Sequence, residues 1–430
     1  MKGPAETDAN PRLFRTIGSV RAARGLTLTA HVPGVRFGDW VQVARHAATP
    51  LDAEVVAFDG DFVTLMPLGD LFGVGPGDAV HSMDGPMRLD CGPELLGRAL
   101  DGIGRPIDGG PPVRGEPWRI LRSAPRALER PALSTVLPTG LRALDGLCTV
   151  AEGQRMAIFA PPGVGKTMLL AHLARHLETD VCVVCLVGER GREVNEVVAE
   201  ALGPERMAKS VLVCATSDSP ALVRMKSAHV ATAVAEYFRD QGARVILLVD
   251  SITRYVRAAR DVATSAGEAP GRRGIPASAL SGIAPLIERT GRTAAGTITA
   301  FYTVLVEGSD PDEPVAEEVR SLVDGHIMLD RGLAERGHYP PIDIPRSLSR
   351  CMDALVSQPQ KEAARRVRAL LARYEQKREL VELSATRPGG DPLLDTALAR
   401  LPSLNHFLQQ ELHTTEPYTR TLQMLLKLAT

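Results

Sequence analysis

Successive backbone N–H groups after an apolar strand can wrap phosphate oxygens, and Ala160-Pro-Pro-Gly-Val-Gly-Lys-Thr167 is composed to do so. Gly163 and Gly165 permit tight curvature and close approach, with Pro162 and Val164 completing the loop. Lys166 is spaced to reach β- and γ-phosphates, and the Thr167 hydroxyl to bind Mg²⁺. A helix-like run beginning at Met168 follows directly, so its positive end faces the phosphates. Ala160 stands where the general pattern has glycine. A second segment, Val245-Ile-Leu-Leu-Val-Asp250, ends an apolar run with a carboxylate. At the carboxyl edge of a parallel sheet, Asp250 becomes a water-mediated Mg²⁺ partner. Taken alone, a strand-terminal Asp is more often a helix N-cap. The third segment is Gly188-Glu-Arg-Gly-Arg-Glu193. Glu189 could orient or deprotonate an attacking water, yet surface loops are full of Glu and Arg, and spacing leaves both readings open. Ser347-Leu-Ser-Arg350 and the aromatic of Gly337-His-Tyr-Pro340 carry no chemistry in isolation.

The elements that must hold these residues fall into three compositional regions. From residue 13 to about 90, short runs (Leu26–Val32, Val41–Ala44, Ala53–Phe58, Phe62–Met66) separated by Gly, Asp and Pro predict a small β-barrel, following a polar tail over 1–12. Phe14, Phe37, Trp40, Phe58, Phe62 and Phe72 are expected in its core. From 92 to 354 the strands Arg155–Ala160, Val181–Val187, Val211–Ala215, Arg244–Val249 and Thr297–Val304 alternate with helical stretches. Strands this apolar imply an α/β domain, a parallel sheet covered on both faces. Residues 355–430 read as helical, with Val367, Leu370, Leu371 and Tyr374 on one stripe and Leu422, Leu425 and Leu426 on another, the loop Arg387–Pro392 lying between. The charges of Lys361–Glu379 are expected on a solvated face.

Composition narrows the classes. The 430 residues carry 50 Lys+Arg against 51 Asp+Glu and are 44% apolar, which disfavours disorder and a generally basic nucleic-acid coat. The longest apolar run is about seven residues, far short of a membrane span, and Met1–Arg12 does not read as a secretory signal. These features suggest a soluble, cytoplasmic protein. Cys182 and Cys185 form a C-x-x-C, but three residues apart on a strand they point to opposite faces, so core thiols are expected rather than a metal or redox pair.

Beyond the phosphate loop, Gly188–Glu193, Asp250-Ser-Ile-Thr-Arg-Tyr255, Gly271-Arg-Arg-Gly-Ile-Pro276, Pro285-Leu-Ile-Glu-Arg289, Glu313-Pro-Val-Ala-Glu-Glu-Val-Arg320 and Leu333–Pro340 resemble the export ATPases of type III secretion systems and bacterial flagella. So does Leu96–Pro106. The resemblance runs from Met66 to about residue 355 and is weaker over the C-terminal helices. It implies an N-terminal β-barrel, a RecA-like core similar to the catalytic β subunit of rotary ATP synthases, and a C-terminal helical domain, assembled as a homohexamer with ATP at subunit boundaries. By the same resemblance Glu189 is the catalytic base, Arg190 holds nucleotide or the adjacent subunit, Tyr339 stacks on adenine, and Arg350 is an arginine finger from the neighbouring protomer. Implied partners are central-stalk and regulatory proteins, an export gate and chaperone–substrate complexes, with peripheral attachment to the inner membrane. Ile275 stands where the family often has Tyr, and Ser309–Glu313 keeps only the acidic character of the family's loop.

Other classes fit less well. A RecA-like RNA motor would bring an aromatic, basic RNA-binding domain; no specific nucleic acid is expected. A non-catalytic ATP synthase-type subunit would lack the catalytic Glu, which is present as Glu189. The rotary β subunit would carry an acidic C-terminal loop, which residues 361–430 lack. Between the two export branches, the C-terminal run and short N-terminus favour secretion over the flagellum.

Overall fold

A computed structural model describes residues 17–46, 48–306, 313–383, 389–411 and 414–430. The expected tail over 1–12, Phe14 and most of the acidic Ser309–Glu313 run lie outside the described residues. Six strands, β1 (Ile17–Arg24), β2 (Thr27–His31), β3 (Asp39–Val43), β4 (Leu51–Asp59), β5 (Phe62–Pro67) and β6 (Ala79–Pro86), close into a barrel in the order β1-β2-β5-β4-β3-β6. Closure leaves no free edge. Its interior is aliphatic: Leu28, Ala30, Val41, Val43, Val55 and Leu65 are fully buried.

The aromatics expected there lie elsewhere. Phe37, Phe58 and Phe72 are 72%, 51% and 85% exposed, and Phe62 lies against His31 and under the Arg21 guanidinium. Trp40 packs against the central core instead. Phe37 and Phe72 sit in turns and Phe58 near a strand end, positions outside the alternation that fills a narrow barrel.

After β7 (Arg88–Cys91), which pairs with β9 (Glu116–Arg119), the chain builds a nine-stranded sheet. Its strands are β8 (Ala99–Asp101), β10 (Arg155–Ala160), β11 (Val181–Glu189), β12 (Ser210–Thr216), β13 (Arg244–Asp250), β14 (Gly291–Arg292), β15 (Thr297–Leu305), β16 (Gly325–Met328) and β17 (Leu348–Ser349). The order is β17-β16-β10-β15-β13-β11-β12-β8, parallel except where β17 joins β16 and β14 joins β15. All five expected strands are present. Alternate residues feed two cores: Val183, Cys185 and Val187 enter one, and Cys182, Val184 and Leu186 the other. Cys182 and Cys185 are therefore on opposite faces, fully buried and unbonded.

The helices Gln358–Glu382, Pro392–Leu408 and Tyr418–Ala429 join the second core, where Val367, Leu370, Phe407 and Leu425 meet Leu144, Leu147 and Leu173. Two expectations change here. Leu426 is exposed, and the last helix buries Thr421, Leu425 and Leu428 instead. Arg368 leaves the solvated face and turns inward, donating to the carbonyls of Leu147 (2.6 Å), Ile344 (2.7 Å) and Ser347 (3.0 Å). Those three carbonyls supply the partners its buried charge requires.

The barrel is tied to the sheet domain by charge. Glu54, on β4, accepts from Lys226 at 2.6 Å, and Lys226 is buried on the helix Ala221–Asp240. Beside it Asp52 accepts from Trp40 and Gln42, each at 3.0 Å, and pairs with Arg105. Removing one partner of a buried pair strands the other charge, at about 3–5 kcal/mol. Glu54→Gln should therefore lower stability by about that amount, read as the urea midpoint. Lys226→Met combined with Glu54→Leu should recover most of the loss.

Candidate active site

Strand order brings the three motifs to one edge of the sheet. β10 ends at Ala160, buried among aliphatic side chains, and the chain turns through Pro162–Gly165 into the helix Lys166–His176. Gly163 and Gly165 have φ of 78° and 95°. That left-handed conformation, rather than crowding, is what calls for glycine at both. Val164 is buried, Pro162 is exposed and its carbonyl accepts from Arg331 at 3.3 Å, and Thr167 and Met168 face solvent in the first turn.

Asp250 closes β13, two strands from β10. Ser251 caps the helix Ile252–Ser265, its side chain accepting from the Arg254 amide, so Asp250 is not used as the cap. Thr303 on β15 donates to Asp250 at 2.7 Å, and Lys166 is ion-paired to the same oxygen. β11 runs two residues past the expected end, through Glu189, and its pairing with β12 shifts register between Val187 and Glu189. Gly188, at φ 66°, takes up that bulge. The extra residue leaves Gly188 unpaired and re-aims Glu189, which pairs with Thr216. One Glu189 oxygen lies 3.8 Å from Lys166 Nζ, and the other is held by Arg254 at 2.8 Å.

Glu189 is 4% exposed and its Oε1 has no hydrogen-bond partner among the described residues. Burial pushes its pKa up to about 8, helped by a hydrogen bond with Glu193 and the Asp250 charge, against the pull of Lys166 and Arg254. Glu193 is shifted down by that same bond.

The remaining expected residues divide. Tyr339 joins Leu141, Gly165, Met168, Leu169 and His172 around an almost wholly apolar cleft with about 670 Å³ of empty space, beside the phosphate loop. A flat heteroaromatic base fits such a lining. Arg190 is not brought into the site: it is 81% exposed and, among the described residues, its ion pair is with Glu193, at 3.9 Å. Arg350 is exposed, with no side-chain ion pair among the described residues, and its amide donates to Asp324 just before β16. β16 pairs Gly325 with Met156 of β10. Arg350 thus lies at the amino ends of strands whose carboxyl ends carry the phosphate loop, about 15 Å along the strand.

Three contributors escaped the sequence reading. Arg254 and Glu193 stand inside quoted motifs, and the i, i+4 spacing from Glu189 to Glu193 is a visible hint; Thr303 stands in Phe301–Gly308, which also resembles the family, but its residue type alone points to no role. No group of three or more His, Cys, Asp or Glu able to hold a metal occurs among the described residues. Thr167 and Asp250 are nonetheless hard oxygen donors, and the Lys166 cation already held at Asp250 shows that this position accepts positive charge. Such a pair suits Mg²⁺, which keeps waters and takes phosphate oxygens for its other ligands.

Comparison with known proteins decides the family. Residues 140–349 match the ATP synthase alpha/beta family nucleotide-binding domain, and 356–427 the T3SS EscN ATPase C-terminal domain. A type 3 secretion system ATPase of Xanthomonas euvesicatoria is 43% identical, over 96% of this chain and 93% of its own length. The chain belongs to the type 3 secretion and flagellar ATPase family. This ATPase is 42% identical to a flagellum-specific ATP synthase of Pseudomonas aeruginosa, with 96% and 91% of the two chains covered. The assembled ATPase EscN of enteropathogenic E. coli superposes with a TM-score of 0.91 at 40% identity, over 96% of this chain and all of that one. EscN in complex with its central stalk EscO gives 0.88 at 39%, with the same coverage.

A raised Glu189 pKa means that the free enzyme is largely protonated there at pH 7 and gains the carboxylate as pH rises. Accordingly kcat/KM, which reports the free enzyme, should climb through about pH 8. Arg254→Gln removes a cation that favours the carboxylate, so the inflection should move to higher pH. A profile flat from pH 6 to 9 in both proteins would remove Glu189 as the base.

Proposed function

We propose that the chain is the Mg²⁺-dependent ATPase of a type III secretion apparatus, hydrolysing ATP at the boundaries of a homohexamer to release chaperones from exported proteins and unfold them. The convergence of Lys166, Glu189 and Asp250 beside the phosphate loop, with Arg350 at the opposite edge of the sheet, carries the reading. Adenine rests against Tyr339, and the loop amides with Lys166 hold the phosphates. Thr167 and Asp250 would hold Mg²⁺, which would supply positive charge toward the transferred phosphoryl group. Lys166 gives up its bond to Asp250 and turns to the β- and γ-phosphates. Glu189, held by Arg254, orients the water and takes its proton, which Glu193 is placed to pass to solvent. Arg350 of a neighbouring protomer inserts as the finger, worth about 10³–10⁵ in rate. Arg190, exposed beside Glu193, faces that neighbour rather than the nucleotide.

The partners follow the same reading: a central stalk, as EscO is for EscN, regulatory proteins, an export gate and chaperone–substrate complexes. No helix among the described residues is long and apolar enough to cross a membrane, in keeping with a cytoplasmic enzyme attached peripherally to the inner membrane. The match of residues 356–427 to the EscN C-terminal domain favours secretion over flagellar export, although flagellar relatives are equally similar.

Glu189→Gln and Arg350→Ala should each abolish hydrolysis, and mixing the two inactive proteins should restore part of it, since a mixed boundary pairs an intact Glu189 with an intact Arg350. Specific activity of the parent should rise with protein concentration. Full activity in Arg350→Ala would dismiss the shared site.

A further inference from the structure

At the amino edge of the sheet, Arg350 follows a strand too short to hold it. β17 has two residues and meets β16 through the pairs Gly325–Ser349 and His326–Leu348. So short an edge ladder offers few bonds to fix the register of what comes next. Buried side chains make up the difference. Leu348 and Arg350 are exposed and Ser349 between them is buried, so the hydroxyl turns inward while Arg350 turns out. Ser349 Oγ donates to the Thr149 carbonyl at 2.7 Å and accepts from Gln154 Nε2 at 3.1 Å. Gln154 is fully buried; the same Nε2 donates to the Asp324 carbonyl at 3.2 Å, and its Oε1 accepts from the Ala151 amide at 2.8 Å. That Asp324 carbonyl also takes the Arg350 amide, at 2.9 Å. The Asp324 carboxylate in turn holds the Arg155 amide at 3.0 Å and its guanidinium at 3.0 and 3.1 Å, which ties the turn to the residue opening β10. Thr149 is fixed as well, its hydroxyl donating to the Asp145 carbonyl at 2.8 Å. Gly325 makes the close approach possible: a Cβ there would stand 2.6 Å from the Leu348 carbonyl and 3.1 Å from Gln154 Nε2.

We propose that Ser349 and Gln154 are positioning residues for the arginine finger, holding the Arg350 backbone where its side chain can enter the neighbouring protomer's site. This rests on the trans-finger reading above and deepens it. A long, flexible arginine is aimed only as well as its Cα is placed, and a misplacement of about 1 Å can cost on the order of 10²-fold in rate. A buried network whose members are satisfied is rigid, and here both side chains use their donors and acceptors on backbone groups or on each other. Both lie at the amino edge of the sheet, about 15 Å from the protomer's own phosphate loop. Their loss is therefore felt in the neighbour's site and not in their own.

Mixing inactive copies reads the direction of the defect. Ser349→Ala should lower kcat by about 10- to 100-fold with little change in the KM for ATP, because its own phosphate loop and Tyr339 cleft are untouched. Mixed with Glu189→Gln it should gain activity beyond the sum of the two alone, since the Glu189→Gln copy brings a well-placed finger to an intact Glu189. Mixed with Arg350→Ala it should gain nothing, since neither copy brings one. Gln154→Met should show the same pattern. Ser349→Cys keeps the size and a weak donor; it should fall between Ser349→Ala and the parent, and it takes the place of Ser349→Ala if that variant does not fold. Parental kcat in Ser349→Ala overturns the proposal. A gain with Arg350→Ala instead of Glu189→Gln also overturns it, by placing the lesion in the variant's own nucleotide site. So does a gain with neither partner in both serine variants, which would leave the hydroxyl a role in folding alone. Should Glu189→Gln and Arg350→Ala fail to complement each other, the shared site itself falls; should they succeed while Ser349→Ala gains nothing from Glu189→Gln, only the positioning role does.

Discussion

The Lys166 ammonium, held between the Asp250 and Glu189 carboxylates, is the interaction around which the rest is arranged. All three groups are largely withdrawn from water, where an uncompensated charge is costly. Each is delivered by a different strand end, so the contact forms only if β10, β11 and β13 finish at the same edge. Their shared sheet makes that so: Leu186 of β11 pairs with Asp250, and β15 lies between β13 and β10, placing the Thr303 hydroxyl on Asp250. The two apolar cores on either face fix this order, and the bulge at Gly188 makes the last adjustment by re-aiming Glu189.

The protonation of Glu189 sets how receptive this edge is to a polyphosphate. Lys166 and Arg254 contribute two positive charges, and Asp250 and Glu193 two negative, Glu193 being shifted down by its bond to Glu189. With its pKa pushed to about 8, Glu189 is mostly neutral at pH 7 and adds no further negative charge against an incoming polyphosphate. Were Glu189 ionised as an exposed glutamate is, the cluster would be net negative and Lys166 held from two sides. On the proposed mechanism, burial thus serves two steps of the cycle. It favours phosphate binding while Glu189 holds its proton, and it makes the carboxylate a stronger base once that proton has left. Phosphates drawing Lys166 away would remove one of the cations that favour the carboxylate, and Arg254 would remain as its orienting partner.

Much of the fold was legible in the sequence because its signals are local. Each of the five expected sheet strands is an uninterrupted apolar run, and the phosphate loop joins one to a helix, so Gly163, Gly165, Lys166 and Asp250 could be placed from neighbours alone. Residues whose roles depend on distant segments were not legible. Lys226 reads as an ordinary helix lysine until Glu54, 172 positions earlier, is seen to face it. Thr303 is one more polar residue in a strand until β13 lies alongside. Arg368 looked solvated because its helix is otherwise charged on that side, and only tertiary packing presents three carbonyls to it. The barrel aromatics were misplaced for a related reason: hydrophobicity identifies a wish for burial, but a six-stranded barrel has room for Leu and Val, and the rings were left to turns and the outer wall. Arg350 marks a different limit, since the described residues of one chain supply it no side-chain ion pair, while Arg190 meets Glu193 beside it, at the rim of the site.

The separation of Arg350 from Glu189 restricts any assembly that completes the site. The two lie at opposite edges of one sheet, and the roughly 15 Å between those edges exceeds the reach of an arginine side chain. A two-fold dimer presents the same patch from both partners, so its interface would have to contain both edges at once, which a contact at one edge cannot do. A head-to-tail contact instead sets the amino-edge surface of one copy against the carboxyl-edge surface of the next. It leaves one unused copy of each surface at the ends of any open chain. Such contacts run on as filaments unless the rotation per step closes them. A closed ring is the finite solution in which every Glu189 has an Arg350 and no half-site is left over.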